Sequence, residues 1–244
     1  MGKQHTLDDY LRKISLKDKD VAVVGPNYSV SDDPSLLYFA NRMLRHKNSS
    51  ITVLDAKPHW TGPSHGNIYN HLDEVKAMVW KGVHIKEPGV IIGDVTETDI
   101  SSQFDMIYET GTFKCIVNLK AEQSKSKKYA PPAKKVLDSY HQMLKPNGTA
   151  LFVFTDGMFE VGYSVLVDLL EKDSRFDYNL EPDFFVDQYK IRNFNDRRVR
   201  SRGRKKYYKG EYVTSIGVNK DNSIYLGSKW KEMRIIEATK IIPS

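Results

Sequence analysis

The sequence predicts an α/β protein built on a doubly wound, mostly parallel sheet, with antiparallel strands joining it near the C-terminus. Three observations predict it. Short apolar, β-branched runs recur along the first two thirds of the chain, as in strands buried on both faces. Segments with helical spacing of apolar residues separate those runs, and such alternation forms a parallel sheet whose crossovers cover both faces. After residue 173 the helices stop and aromatic or β-branched segments follow one another directly.

The elements follow in order. Leu7, Tyr10, Leu11 and Ile14 fall at helical spacing inside a polar, charged first twenty residues, which reads as a leading helix over residues 1–20 laid on the domain. Val21-Ala-Val-Val-Gly25 is the first strand and its exit. Asp33 before Pro34 is a helix start, an acidic cap followed by proline at the first helical position. Leu36, Leu37, Phe39, Ala40, Met43 and Leu44 continue the apolar stripe until Lys47-Asn48 ends it. Ile51–Asp55 is a second strand ending on an acid. A Pro-, Gly- and His-rich loop over 58–67 leads to a helix near 68–81. Val90–Asp94 and Phe104–Glu109 are the third and fourth strands. A helix near 131–144 carries Val136, Leu137, Tyr140 and Leu144, and Lys145-Pro-Asn-Gly148 closes it with residues that break helices. Ala150–Thr155 is the fifth strand, and a helix over about 159–172 follows. Segments near 176–190, 211–218, 223–227 and 233–242 are the antiparallel strands. No internal repeat is present, and the reading is of one domain over 1–244 with a basic insertion at 190–210.

Composition narrows the class. The chain has 244 residues, enough to bury a core without staples. The single cysteine, Cys115, excludes a disulfide framework and suits a reducing, cytoplasmic setting. No run approaches the roughly 18 apolar residues that span a bilayer, so no stable membrane insertion is expected. Of 37 basic and 31 acidic residues, ten bases and one acid fall within 190–209, which leaves 27 bases against 30 acids elsewhere. The charge is thus concentrated in one segment, where it alternates with Phe194, Tyr207 and Tyr208. Clustered Lys and Arg with aromatics suit phosphates and unpaired bases, so RNA or another polyanion is the expected partner of 190–209, with Arg197, Arg198, Arg200 and Arg202 at its centre. Such a segment also serves as a solvated hairpin.

In an open α/β sheet, ligands bind beyond the carboxyl ends of the strands, beside the point where strand order reverses. Gly25-Pro26-Asn27-Tyr28, Asp55, Asp94 and Glu109 should therefore share one rim. An acid ending the second strand suits a ribose diol, and a Gly-Asp pair ending the third suits an adenine amino group. The helix N-terminus that would hold a pyrophosphate carries Asp32 and Asp33, which disfavours a dinucleotide. No phosphate-binding Gly-Lys-Ser/Thr loop and no Gly-x-Ser-x-Gly elbow is present. His59, His65 and His71 recur at a spacing that does not share a helical face, and no metal site is expected.

The order of these segments over residues 20–170 resembles the class I, Rossmann-type S-adenosylmethionine (SAM)-dependent methyltransferases. The resemblance is carried by the first strand and loop at 21–29, the strand ending at Asp55, Ile91-Ile-Gly-Asp94-Val95, the strand Phe104–Glu109, and Met143-Leu-Lys-Pro-Asn-Gly148 before an apolar strand. It departs from the family at the first loop, where two or three glycines are reduced to Gly25 followed by Pro26 and Asn27. The resemblance implies SAM as cofactor. Gly25, Pro26, Asn27 and Tyr28 would line its methionine part, Asp55 would hold the ribose, and Asp94 and Val95 would meet the adenine. Glu109, Thr110 and Gly111 would face the acceptor, with Glu109 orienting or deprotonating it. On sequence alone three classes stay open: methyl transfer to an acceptor such as RNA, methyl transfer to a small molecule under a 57–67 lid bearing Trp60, and a non-catalytic module binding nucleic acid or protein.

Overall fold

The computed structural model describes residues 7–25, 35–55, 85–109, 112–113, 130–155, 159–180, 188–191, 215–218, 224–227 and 233–242. The described elements in chain order are α1 (Leu7–Lys13), β1 (Asp20–Val24), α2 (Ser35–Arg42), β2 (Ser50–Asp55), β3 (Gly89–Ile92), β4 (Phe104–Glu109), α3 (Ala130–Met143), β5 (Leu144–Thr155), α4 (Phe159–Leu170), β6 (Phe176–Leu180), β7 (Gln188–Ile191), β8 (Ser215–Val218), β9 (Ile224–Gly227) and β10 (Met233–Lys240). Seven strands form one sheet in the order β3-β2-β1-β4-β5-β10-β6. The first five are parallel, and β10 runs antiparallel between β5 and β6. The remaining three form a second antiparallel sheet, β7-β9-β8, whose β7 lies against α1 and α2.

Strand alternation splits the core into two layers. Val21 and Val23 of β1, Met106 and Tyr108 of β4, and Leu151 and Val153 of β5 face one way, where Tyr10, Leu11, Leu36 and Phe39 cover them. Ala22, Val24, Ile107, Ala150, Phe152 and Phe154 face the other way, beneath Val136, Leu137 and Tyr140 of α3 and Leu166 and Leu170 of α4. Val21–Val24 are at most 1% exposed, as a strand covered on both sides requires. Each such large apolar side chain contributes about 1.5–3 kcal/mol by leaving water.

The leading helix, described over Leu7–Lys13, is firmly docked. Arg42 donates to the carbonyl of Leu11 (2.7 Å), which also accepts the Ile14 N–H, and to that of Ile14 (3.1 Å), just past the end of α1. The Tyr10 hydroxyl donates to Glu237 of β10 at 2.8 Å.

Two elements depart from the periodicity. The apolar stripe of α2 was expected to run through Leu44, yet the α-helix ends at Arg42 and a 3₁₀ turn covers Met43–Arg45. The tighter turn changes the spacing from 3.6 to 3 residues, so Met43 stays buried while Leu44 faces outward. The break expected at Lys145–Gly148 belongs instead to β5, which begins at Leu144. Leu144 pairs with Phe104 and Thr149 with Met106, so five steps of β5 pass opposite two of β4. Asn147 takes φ +60°, and a β-carbon on Gly148 would lie 2.9 Å from the Lys145 carbonyl oxygen and 3.0 Å from that of Phe104. The residues that break a helix here form a bulge.

Candidate functional site

The strand order reverses between β1 and β4: β2 and β3 lie to one side and β5 to the other. A doubly wound sheet opens its ligand crevice at that position, beyond the carboxyl ends of the two strands. Register fixes what stands on the rim. Val24 pairs with Leu54 and with Glu109, and Leu54 pairs with Ile91. The ladder continues one step past β1 and past β3: the Gly25 N–H donates to the Leu54 carbonyl (2.9 Å), and the Gly93 N–H to the Asp55 carbonyl (2.8 Å). Gly93, Asp55, Gly25 and Glu109 thus end four adjacent strands along one edge, with Gly25 and Asp55 level, Glu109 one residue below them and Gly93 one above. With about 4.8 Å per strand, this row is roughly 14 Å long.

Gly25 is constrained twice. Its φ is +57°, a left-handed conformation that glycine adopts without strain, and a β-carbon there would overlap the Thr112 hydroxyl. Thr112 is half-buried and follows β4 in the chain, and it packs against Gly25 between the two strands of the switch point. Asp55 is half-buried at the end of β2. Asp94 is exposed, and its Oδ1 accepts both the Thr96 N–H and the Thr96 hydroxyl at 2.8 Å, a side-chain-capped turn. Val95, 3% exposed, packs in the core beside Leu54 and Ile100, so what it offers the rim is main chain. Glu109 is 2% exposed, and its Oε1 accepts the Phe113 N–H at 2.9 Å.

The structure therefore brings Gly25, Asp55, Asp94 and Glu109 to one edge. Pro26, Asn27, Tyr28 and Thr110 lie outside the described residues, as do Arg197, Arg198, Arg200 and Arg202, Asp32 and Asp33, the loop with His59, His65 and Trp60, and His71. Among the described residues no group of three or more His, Cys, Asp or Glu side chains could hold a metal, and no helix is long and apolar enough to cross a membrane.

Sequence reasoning missed Thr112 and Tyr140. Thr112 belongs to no motif, and its only signal was the need for space beside a lone loop glycine. Tyr140 reads as one more residue of an apolar helical stripe. It is fully buried, its ring 5.6 Å from that of Phe152, and its hydroxyl has no partner among the described residues. Burial first, and then the charge of Glu109, push its phenol well above the ordinary value, so it stays neutral.

No protein-family model and no curated protein sequence matches the chain. Solved structures do. The chain is similar to the YcgJ protein from Bacillus subtilis at 11% identity, over 96% of this chain and 97% of that one, with a TM-score of 0.49. It is similar to a TehB-like SAM-dependent methyltransferase from Corynebacterium glutamicum at 14% identity, over 94% and 84%, with a TM-score of 0.42. An arsenic(III) S-adenosylmethionine methyltransferase from Chlamydomonas reinhardtii is similar at 14% identity, over 94% and 65%, with a TM-score of 0.46. The α/β arrangement itself rests on the strand order and pairing, with five parallel strands and a reversal of order between β1 and β4.

Proposed function

We propose that this protein transfers a methyl group from SAM to an acceptor at the crevice between β1 and β4. The observation that carries the reading is the row of strand ends at the order reversal: Gly25 with positive φ, a half-buried acid on β2, and Gly93-Asp94 on β3. The residues fit the cofactor. Gly25, with Thr112 packed against it, turns the main chain at the crevice in a way that suits the methionine part. Asp55, one strand over, suits the ribose hydroxyls, and the Gly93–Val95 main chain suits the adenine edge. Acids on this rim are compatible with a ligand bearing a sulfonium and an ammonium and would oppose a pyrophosphate. SAM supplies the activated methyl, and the protein's task is to hold sulfur, methyl and nucleophile in line, which needs positioning more than proton transfer.

The test is calorimetric titration with S-adenosylhomocysteine. The wild type is expected to bind and to gain thermal stability by mass action. Asp55→Ala should lower affinity at least about tenfold, equivalent to about 1.4 kcal/mol, in a protein that still folds. Equal affinity in the variant would remove Asp55 from the ribose, and a wild type that does not respond at millimolar ligand would remove the cofactor.

For the acceptor, the ten bases within 190–209 favour RNA over a small molecule. Each phosphate neutralised makes binding fall with salt. Replacing Arg197, Arg198, Arg200 and Arg202 together by Ala should reduce both RNA affinity and its salt slope; an unchanged slope would return the acceptor to the small-molecule class.

A further inference from the structure

Phe113, four residues past the end of β4, is held by both its main chain and its side chain. Glu109 accepts the Phe113 N–H, and the Phe113 ring, fully buried, meets Phe152 edge-on with centroids 5.9 Å apart. With its main chain and its side chain both fastened, Phe113 fixes the residue before it. That residue is Thr112, whose hydroxyl occupies the position of the β-carbon that Gly25 lacks. The carboxylate responsible is 2% exposed. A group that must take a proton from a bound acceptor has to come within about 3 Å of it, whereas this one is sealed beneath the rim and given to a backbone donor.

We propose that Glu109 is a positioning residue, which through Phe113 seats Thr112 against Gly25 and so shapes the crevice floor, instead of touching the acceptor. Its effect on ligand affinity rests on the methyltransferase reading; its effect on Phe113 does not. The bond to Phe113 requires an acceptor oxygen, not a negative charge. Glutamine keeps that oxygen and alanine removes it.

The experiment labels the ten phenylalanines with ¹⁵N, assigns the Phe113 amide through Phe113→Leu, and measures its hydrogen exchange beside S-adenosylhomocysteine binding. Glu109→Ala is expected to speed Phe113 exchange about tenfold relative to the other phenylalanine amides, and to weaken ligand binding by a similar factor, as loss of one charge-assisted hydrogen bond predicts. Glu109→Gln should keep Phe113 protected and keep binding within about threefold of wild type. Unchanged Phe113 exchange in Glu109→Ala overturns the proposal. So does a Glu109→Gln variant that loses binding while Phe113 stays protected, because the charge itself would then act on the ligand. If Glu109→Ala does not fold, the Glu109→Gln comparison alone decides. If the wild type binds no S-adenosylhomocysteine, the cofactor reading falls separately, and the exchange rates still decide the role of Glu109.

Discussion

The two ends of the parallel sheet are built on opposite plans. At the amino end, side chains tie neighbouring strands together. Lys145, from the start of β5, donates to Asp20 of β1 at 2.7 Å and to Asp105 of β4 at 2.9 Å. The Ser50 hydroxyl of β2 donates to Asp20 at 2.6 Å, and the Asp20 N–H donates to Asp105 at 2.8 Å. Four adjacent strands are thus cross-linked by one polar row. At the carboxyl end, the described ties between strands β3, β2 and β1 are main-chain ladder bonds, and the acids stand at or near the rim. Charge at one end holds neighbouring strands together; at the other, Asp94 and Glu109 accept main-chain N–H groups from the segments that follow their own strands. This is the division expected of a sheet whose ligands bind at one edge only.

Substitutions that interchange the two plans test the comparison. The largest effect is expected from Gly25→Ala. It forces a side chain into the left-handed region, a cost of about 1–3 kcal/mol, and overlaps the Thr112 hydroxyl, so S-adenosylhomocysteine binding should be lost together with stability. Adding Thr112→Ala removes the overlap but not the strain, and should restore part of both. An additive double variant in calorimetry and thermal melts would show that the two residues are not coupled.

Next comes the amino end. Lys145→Met leaves Asp20 and Asp105 facing each other and should cost about 1–2 kcal/mol, given that the lysine is partly exposed, with ligand affinity unchanged. The same row has a pH signature. Burial opposes ionisation of Asp20, but hydrogen bonds from Lys145 and Ser50 outweigh it and hold the carboxyl below its usual value. For Asp105, burial is likewise outweighed by the Asp20 N–H and Lys145. Hydrogen bonds to Asp20 and then Asp105 raise the Lys145 ammonium. Carboxyls lowered by folding contribute stability above their unfolded pKa, near 4, and lose it as the pH falls through their lower folded values. Wild type should therefore lose more stability than Lys145→Met in urea melts taken from pH 5 down to pH 2.5. Parallel curves would mean that the row contributes nothing. The smallest effect belongs to a pair at neither end: Lys134 and Asp138, at i,i+4 on α3 and 3.0 Å apart, are well exposed. Lys134→Ala should change stability by less than about 0.5 kcal/mol.

Much of the fold could be read directly. β4 runs over Phe104–Glu109 as its alternation and its flanking polar residues indicate, and α4 begins at Phe159 where the apolar periodicity begins. Asp55 and Asp94 were legible as acids that end strands. What was not legible depends on neighbours. Lys145-Pro-Asn-Gly148 carries the local chemistry of a helix stop, and only pairing with β4 turns it into a bulge that delivers Lys145 to two aspartates. The C-terminal strands were legible as antiparallel, but their division between β6 and β10 in the main sheet and β7, β8 and β9 in a second one is a matter of hydrogen-bond partners. Glu109 was legible as an acid on the rim, and its burial was not, because the donor that holds it is the main chain of Phe113.

The sequence by itself determined the local alternation of strand and helix, the two faces of each strand, and the acids and glycine at strand ends, because these follow from side-chain period and backbone sterics within a few residues. Only the tertiary structure decided that β1 lies beside β4, and with it that Gly25 meets Thr112 from 87 residues away. Strand order is set by which faces bury the most apolar surface against which helices, a sum over the whole chain that no single segment contains.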